Sequence, residues 1–236
     1  MTELLYLTDA YLQTFDAEVT GQVDGGVVLD RTAFYPGGGG QPSDVGTLSA
    51  GDQSWTVTGM KRVEGELVHL LEGEPPAVGT AVTGQLEWER RYRLMRTHTA
   101  MHVLCGVIWR DYGASVTGGN MEPLKGRMDF EFERMQQELV AEIETAVNHE
   151  VAAARPLQAQ ILPREEAFQI PDLIRTKINL LPKGITEVRT VEIVGLDLQA
   201  DGGTHVANTR EVGRIRVVDY KSKGKINKRI YIELEE

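Results

Sequence analysis

The sequence predicts an α+β protein in two parts. An all-β N-terminal part, a small barrel or sandwich, precedes a part in which helices pack on an antiparallel or mixed sheet. Three observations carry this prediction. Up to about residue 88 the chain runs in short alternating segments broken by Gly, Asp and Pro. From Arg90 the apolar period becomes helical. Val-rich runs return in "TEVRTVEIVGLDLQA" and persist to the C-terminus.

In the first part, "FDAEVTGQV", "GGVVLDRTAFY", "SWTVTGMKRV" and "ELVHLLE" read as strands with turn signals between them. "FYPGGGGQPSDVG" (Phe34 to Gly46) interrupts them. Four successive glycines suit neither a helix interior nor a central strand, so this stretch is a sharp reversal or a loop closely approached by a ligand. "EPPAVGTAV" is punctuated, but "VTGQLEWER" still reads as a strand, which sets the domain boundary near residue 88.

The second part, 89–236, opens with "RRYRLMRTHTAMHVLCGVIWRDYG". Its stripe of Leu94, Met101, Leu104, Val107 and Ile108 predicts a helix ending at Gly113. "VTGGNMEPLKGRMDFEFE" is a loop or hairpin, with "RMDFEF" alternating like a strand. "RMQQELVAEIETAVNHEVAAA" is a strongly amphipathic helix. "PLQAQILP" reads as a strand, "REEAFQI" as a short helix, and "GRIRVVDYKSKGKINKRIYIELEE" as a strand hairpin.

Composition narrows the class. With 41% hydrophobic and 25% charged residues, the chain is an ordinary soluble globular protein. It has no apolar run of the roughly 18 to 20 residues that a membrane span needs. "MTELLYLTDAYLQTF" lacks the basic start and small-residue cleavage site of a signal peptide, and Cys105 is the single cysteine. A reducing cytoplasm and no disulfide are expected. The net charge of −10 disfavours indiscriminate nucleic-acid binding. Local clusters nevertheless suit an anionic partner that must be placed correctly: Arg90, Arg91, Arg93 and Arg96, then Lys221, Lys223, Lys225, Lys228 and Arg229. They also fit solvated residues at a helix start and on a hairpin.

Of five histidines, three stand where metal chemistry needs them. His98 and His102 are at i and i+4 on the predicted helix, so both rings project from one face. Such a pair can grip one divalent ion, with Zn–N bonds of about 2.0 to 2.1 Å. The intervening "TAM" lacks the glutamate of a zincin, which disfavours that protease class. A third ligand must come from elsewhere, and "DGGTHV" is the best candidate, with Asp201 and His205 four apart on a glycine-containing loop. His69 in a β run and His149 on the second helix have structural or solvated roles.

Taken together, "FYPGGGGQPSDVG", "RTHTAMHVL", "GRMDFEF", "DGGTHVANTREVGRI" and "KSKGKINKRIYI" resemble the editing domain of alanyl-tRNA synthetases and their free-standing AlaX-type relatives. The motifs cover nearly the whole chain in the expected order. The length and β-rich start resemble the medium form, which carries a barrel ahead of the editing domain. The resemblance therefore implies a small β-barrel domain over 1–88. An α+β two-layer editing domain follows over 89–236, its helices packed on a mostly antiparallel sheet. With no aminoacylation domain ahead of the barrel, a stand-alone editor is expected.

The resemblance also implies a chemistry: metal-assisted hydrolysis of the ester joining serine or glycine to tRNA(Ala), with one Zn2+ per chain and no obligatory protein partner. The family usually has cysteine where Asp201 stands. Three arrangements follow: His98, His102, His205 and Asp201 all bind; the three histidines bind with water; or Asp201 orients a ligand from behind. By position, Thr117 matches the family threonine that contacts the serine hydroxyl, although a turn role for "VTGG" fits equally. Thr97 and Thr204 adjoin the ligands and can bond substrate or fix a histidine. For the tRNA acceptor end, Gly38, Gly39 and Gln41 offer close backbone approach. Arg96, Arg210, Lys223, Lys225 and Lys228 offer charge for the phosphates. Competing readings are a metal-free tRNA-binding module on a degenerate editing fold and a metal hydrolase indifferent to tRNA.

Overall fold

A computed structural model describes residues 2–23, 25–131, 137–176, 184–224 and 226–236. The chain divides into two compact units, Met1–Tyr92 and Arg93–Glu236.

The first unit contains β1 (Glu3–Leu4), β2 (Thr14–Val23), β3 (Gly26–Leu29), β4 (Arg31–Thr32), β5 (Gly46–Ala50), β6 (Gln53–Val63), β7 (Glu66–Leu71) and β8 (Ala81–Leu86). Six of these close into an antiparallel barrel in the order β2-β3-β7-β6-β5-β8, while β1 pairs with β4 in parallel. Period-two alternation drives the closure: β8 reads exposed–buried throughout, with Val82 and Leu86 turned inward. Irregular register at Val19/Gly21 and Val57/Gly59 gives the bends that closure requires. Phe15, Val19, Leu29, Phe34, Leu48 and Val57 fill the interior.

The glycine run is a reversal with φ of +86, +140, +58 and +92° at Gly37 to Gly40, a path open only to glycine at such density. Gly38 and Gln41 exchange backbone hydrogen bonds of 3.0 and 2.9 Å, and the Tyr35 hydroxyl donates to the Gly38 carbonyl. A buried ion pair anchors the far end of this loop. The Arg91 guanidinium donates to Asp44 Oδ2 and to the Ala33 and Ala10 carbonyls, while Asp44 Oδ2 also accepts the Tyr35 N–H.

The helix α1 (Trp88–Tyr112) leads into the second unit and stops at Gly113, whose N–H bonds the Trp109 carbonyl with φ +63°. There follow β9 (Val116–Glu122), β10 (Lys125–Glu131), α2 (Gln137–Ala152), β11 (Leu157–Pro163), α3 (Arg164–Ala167), β12 (Glu187–Ile193), β13 (Asp197–Ala200), β14 (Ile215–Ser222) and β15 (Asn227–Leu234). They form a four-stranded sheet, β14-β15-β10-β9, and a three-stranded one, β11-β12-β13, both antiparallel. "VTGGNMEPLKGRMDFE" is thus a hairpin, with a bulge between Asp129 and Phe130.

Burial on α1 extends beyond the predicted stripe to Met95, Ala100, Val103 and Cys105. The reason is contact from both sheets. Met101 fills the space over Gly119 and Gly126, and Gly106 admits Leu196 and Asp197, which a Cβ would meet at 2.9 and 3.0 Å. Val140, Ile143, Val147 and Val151 form the buried face of α2. Among the described residues, no helix is long and apolar enough to cross a membrane.

Candidate metal centre

Helical spacing sets His98 and His102 side by side on α1, with ring centroids 5.1 Å apart. The loop after β13 brings the His205 ring to 4.1 Å from His98 and 4.7 Å from His102. Asp201, on the same loop, places Oδ2 3.0 Å from His205 Nε2 and Oδ1 3.6 Å from His98 Nε2. The four side chains offer donor atoms within 4.8 Å of one another, and all three histidines are buried. These four residues could hold a metal ion.

Local interactions shape the loop. Asp201 Oδ2 accepts the Gly203 N–H at 2.7 Å, the self-closing turn typical of Asp. Arg189 Nη1 donates to the carbonyls of Asp201 and Gly203, and the Asp201 N–H bonds the Arg189 carbonyl. Downstream, Asn208 and Glu211 form a reciprocal capping box on the short turn Thr209–Val212.

Two of the rings are held at Nδ1. Asp197 Oδ2 accepts from His102 Nδ1 at 3.1 Å. Thr99 Oγ1 lies 3.2 Å from His205 Nδ1 and accepts the Val206 N–H. Burial, reinforced by the neighbouring His205 ring, holds His98 well below the ordinary histidine range. Burial takes His205 down to about 4. Burial opposes charge on His102 as well, but the Asp197 hydrogen bond and the charges of Asp197 and Asp201 together outweigh it and raise that group. Burial works against the Asp201 carboxylate too, and the facing His98 and His205 rings still keep it well below the usual range. Burial thus disfavours charge on His98 and His205 while Asp201 favours its anion, a donor set that suits a cation.

The other residues expected from sequence are placed as follows. Thr97 is fully buried, its hydroxyl donating to the Arg93 carbonyl and accepting the Leu124 N–H. Thr204 is buried in the loop of Asp201 and His205, beside His98. Thr117 is exposed on β9 and donates to Asn227 Oδ1 at 3.0 Å. Gly38 and Gly39 are exposed at the tip of the reversal, whereas Gln41 is buried. The Arg96 guanidinium is engaged by the Val212 and Glu235 carbonyls. Arg210 and Lys223 are exposed; Lys228 is buried with Nζ 2.8 Å from the Gly224 carbonyl; Lys225 lies outside the described residues. His69 is a core residue of the barrel, and His149 is exposed on α2. Burial pushes the Cys105 thiol up, away from any nucleophilic role. Sequence reasoning missed Thr99 and Asp197, whose histidine partners are distant in sequence, and Arg189, whose role depends on the fold of the following loop.

Comparison with known proteins agrees with this arrangement. Residues 4–90 match the family described as tRNA synthetases class II (A), and residues 188–231 match the threonyl and alanyl tRNA synthetase second additional domain. The chain is 38% identical over 223 residues to an alanine–tRNA ligase of Ignicoccus hospitalis, covering 92% of this chain and 24% of that protein. It is 38% identical to the alanyl-tRNA editing protein AlaX-M of Methanosarcina barkeri, over 99% of both chains. The AlaX-M protein of Saccharolobus solfataricus is 40% identical over 98% of both chains. With identity of this order over nearly its whole length, the chain belongs to the AlaX-M family of alanyl-tRNA editing proteins.

Proposed function

We propose that this protein deacylates mischarged tRNA(Ala), hydrolysing the ester of serine or glycine, with one zinc ion held by His98, His102, His205 and Asp201. The observation that carries this reading is the buried convergence of three imidazoles and a carboxylate, whose donor atoms lie within 4.8 Å of one another. Nitrogen and carboxylate-oxygen donors in this number suit Zn2+, and their burial disfavours an incidental surface cluster. When bound, the ion supplies a local positive charge that polarises an ester or a water molecule.

The chain's own residues do the rest. Asp201 carries the negative charge that balances the cation, and the Gly203 N–H holds it in place. The hydroxyl-sensing role falls to Thr117, oriented by Asn227, and Thr204 lines the histidine cluster. Thr97 supports the site from beneath, tying α1 to the β9–β10 turn through Leu124. Phosphates of the acceptor end meet the exposed Arg210 and Lys223, and the backbone of Gly38 and Gly39. Arg96 and Lys228 contribute by fixing the C-terminal strands, since both are held by main-chain carbonyls. A substrate made in translation sets this work in the cytoplasm.

The deciding experiment measures deacylation of Ser-, Gly- and Ala-tRNA(Ala) before and after metal removal. Hydrolysis of the first two, sparing of the third, loss on chelation and return with zinc are expected. Ala-tRNA(Ala) cleaved as fast as Ser-tRNA(Ala), or equal activity on simple aminoacyl esters, overturns the assignment.

A further inference from the structure

A second buried carboxylate stands behind the metal centre. Asp197, the first residue of β13, is 3% exposed and is not among the four clustered donors. Its Oδ2 takes the His102 Nδ1 at 3.1 Å and the Gln199 Nε2 at 2.7 Å. Its Oδ1 lies 3.5 Å from Arg175 Nε, and that guanidinium stacks on Trp109 at 4.6 Å. The helix is cut away to admit it, because at Gly106, one turn past His102, a Cβ would come within 3.0 Å of Asp197 Cβ. A carboxylate withdrawn from water is unfavourable unless it is compensated, and here two hydrogen bonds on Oδ2 and the Arg175 ion pair on Oδ1 do so.

We infer that Asp197 is the positioning residue of this centre, taking the His102 Nδ1–H so that the Nε2 lone pair faces the other donors. The inference rests on the metal-centre reading. A carboxylate on the far nitrogen settles both tautomer and ring orientation and makes the near nitrogen a stronger donor. His205 has only the neutral Thr99 hydroxyl at the equivalent place. The two aspartates therefore divide the work: Asp201 stands among the donors and Asp197 aims one of them.

The test uses the full chain, Asp197→Asn, and Gln199→Ala, which loosens Asp197 without removing it. Zinc affinity is read by competition with a chromophoric chelator. The His102 tautomer is read from long-range 1H–15N spectra of metal-free protein at about pH 9, above the ordinary histidine range. Asp197→Asn is expected to weaken zinc binding about tenfold to hundredfold. It should also lower the Nδ1–H population of His102, with Gln199→Ala moving both quantities in the same direction. Should Asp197→Asn fail to fold, Gln199→Ala decides alone. Unchanged affinity and tautomer in the folded variants overturn the role. A wild-type protein that binds no zinc defeats the metal-centre reading instead, and the tautomer measurement still judges Asp197.

Discussion

Arg189 reaches from β12 to the loop of Asp201, where its Nη1 donates to the Asp201 carbonyl at 3.1 Å and to that of Gly203 at 2.9 Å. The same nitrogen is 3.9 Å from Asp201 Oδ2. Two loop carbonyls and one carboxylate thus converge on a single guanidinium, so Arg189 sets the path along which Asp201 and His205 return to α1. Arg189→Ala is expected to weaken zinc binding about tenfold to hundredfold, as removal of outer support does. It should destabilise the metal-free protein by about 1.5–3 kcal/mol, as for hydrogen bonds to a charged group. Arg189→Lys keeps the charge without the planar fork and recovers only part of both. Chelator competition and chemical denaturation check this, and unchanged zinc affinity in Arg189→Ala would exclude the clamp.

Asp201 stands where the resemblance implies a cysteine, and its Oδ1 and Oδ2 lie toward different histidines. Asp201→Cys should retain zinc, exchanging a hard oxygen for a soft thiolate. X-ray absorption of the loaded variant is expected to show a new Zn–S distance of about 2.3 Å, absent from wild type. Asp201→Ala should bind zinc more weakly than either. A Cys variant that binds zinc without a sulfur ligand would move Asp201 out of the ligand set.

Much of this was readable in advance because it is periodic. The i,i+4 spacing placed His98 and His102 on one helical face, and alternation marked the strands of the barrel and of the C-terminal hairpin. The supporting residues carry no such signal. Asp197 sits in a Val-rich run, and Thr99 is one polar residue in a helix; their partners lie 95 and 106 residues away, so only tertiary packing exposes their roles. Lys228 is different. The period of two aligns it with Ile230, Ile232 and Leu234 on the buried side, a clue that its position in a basic cluster obscured.

That alignment divides the basic hairpin into residues with different work. Lys228 is buried against the Gly224 carbonyl, Lys221 pairs with Asp219 at 3.0 Å, and Arg229 grips both oxygens of Asp129. Lys223 and Arg210 are exposed. Removing either exposed cation, by Lys223→Ala or Arg210→Ala, should weaken tRNA binding and reduce the slope of log affinity against log salt by about 1. Lys228→Met should leave the slope unchanged. Titrations at several salt concentrations separate these outcomes; a slope altered by Lys228→Met alone would reverse the division.

In the barrel, His69 contributes a pH dependence independent of metal. Its ring is fully buried, with Nε2 2.8 Å from the Thr32 hydroxyl and Nδ1 3.3 Å from the Val27 carbonyl. One tautomer satisfies both partners: Nδ1–H donates to the carbonyl, and Nε2 accepts from the hydroxyl, which itself accepts the Phe34 N–H. Burial lowers this group from 6.5 to about 4 despite the carbonyl. Between those values the unfolded chain takes up a proton that the folded barrel refuses, so stability falls as the pH drops through this window. From about pH 7.5 to about pH 5 the loss attributable to His69 is about 2 kcal/mol. His69→Gln, which does not titrate, should lose about that much less over the same interval, whatever the other histidines contribute to both proteins. Denaturation curves at the two pH values supply the difference, and NMR should show the His69 ring still neutral at the lower one. Parallel pH dependence in variant and wild type would mean that the barrel accepts the charge.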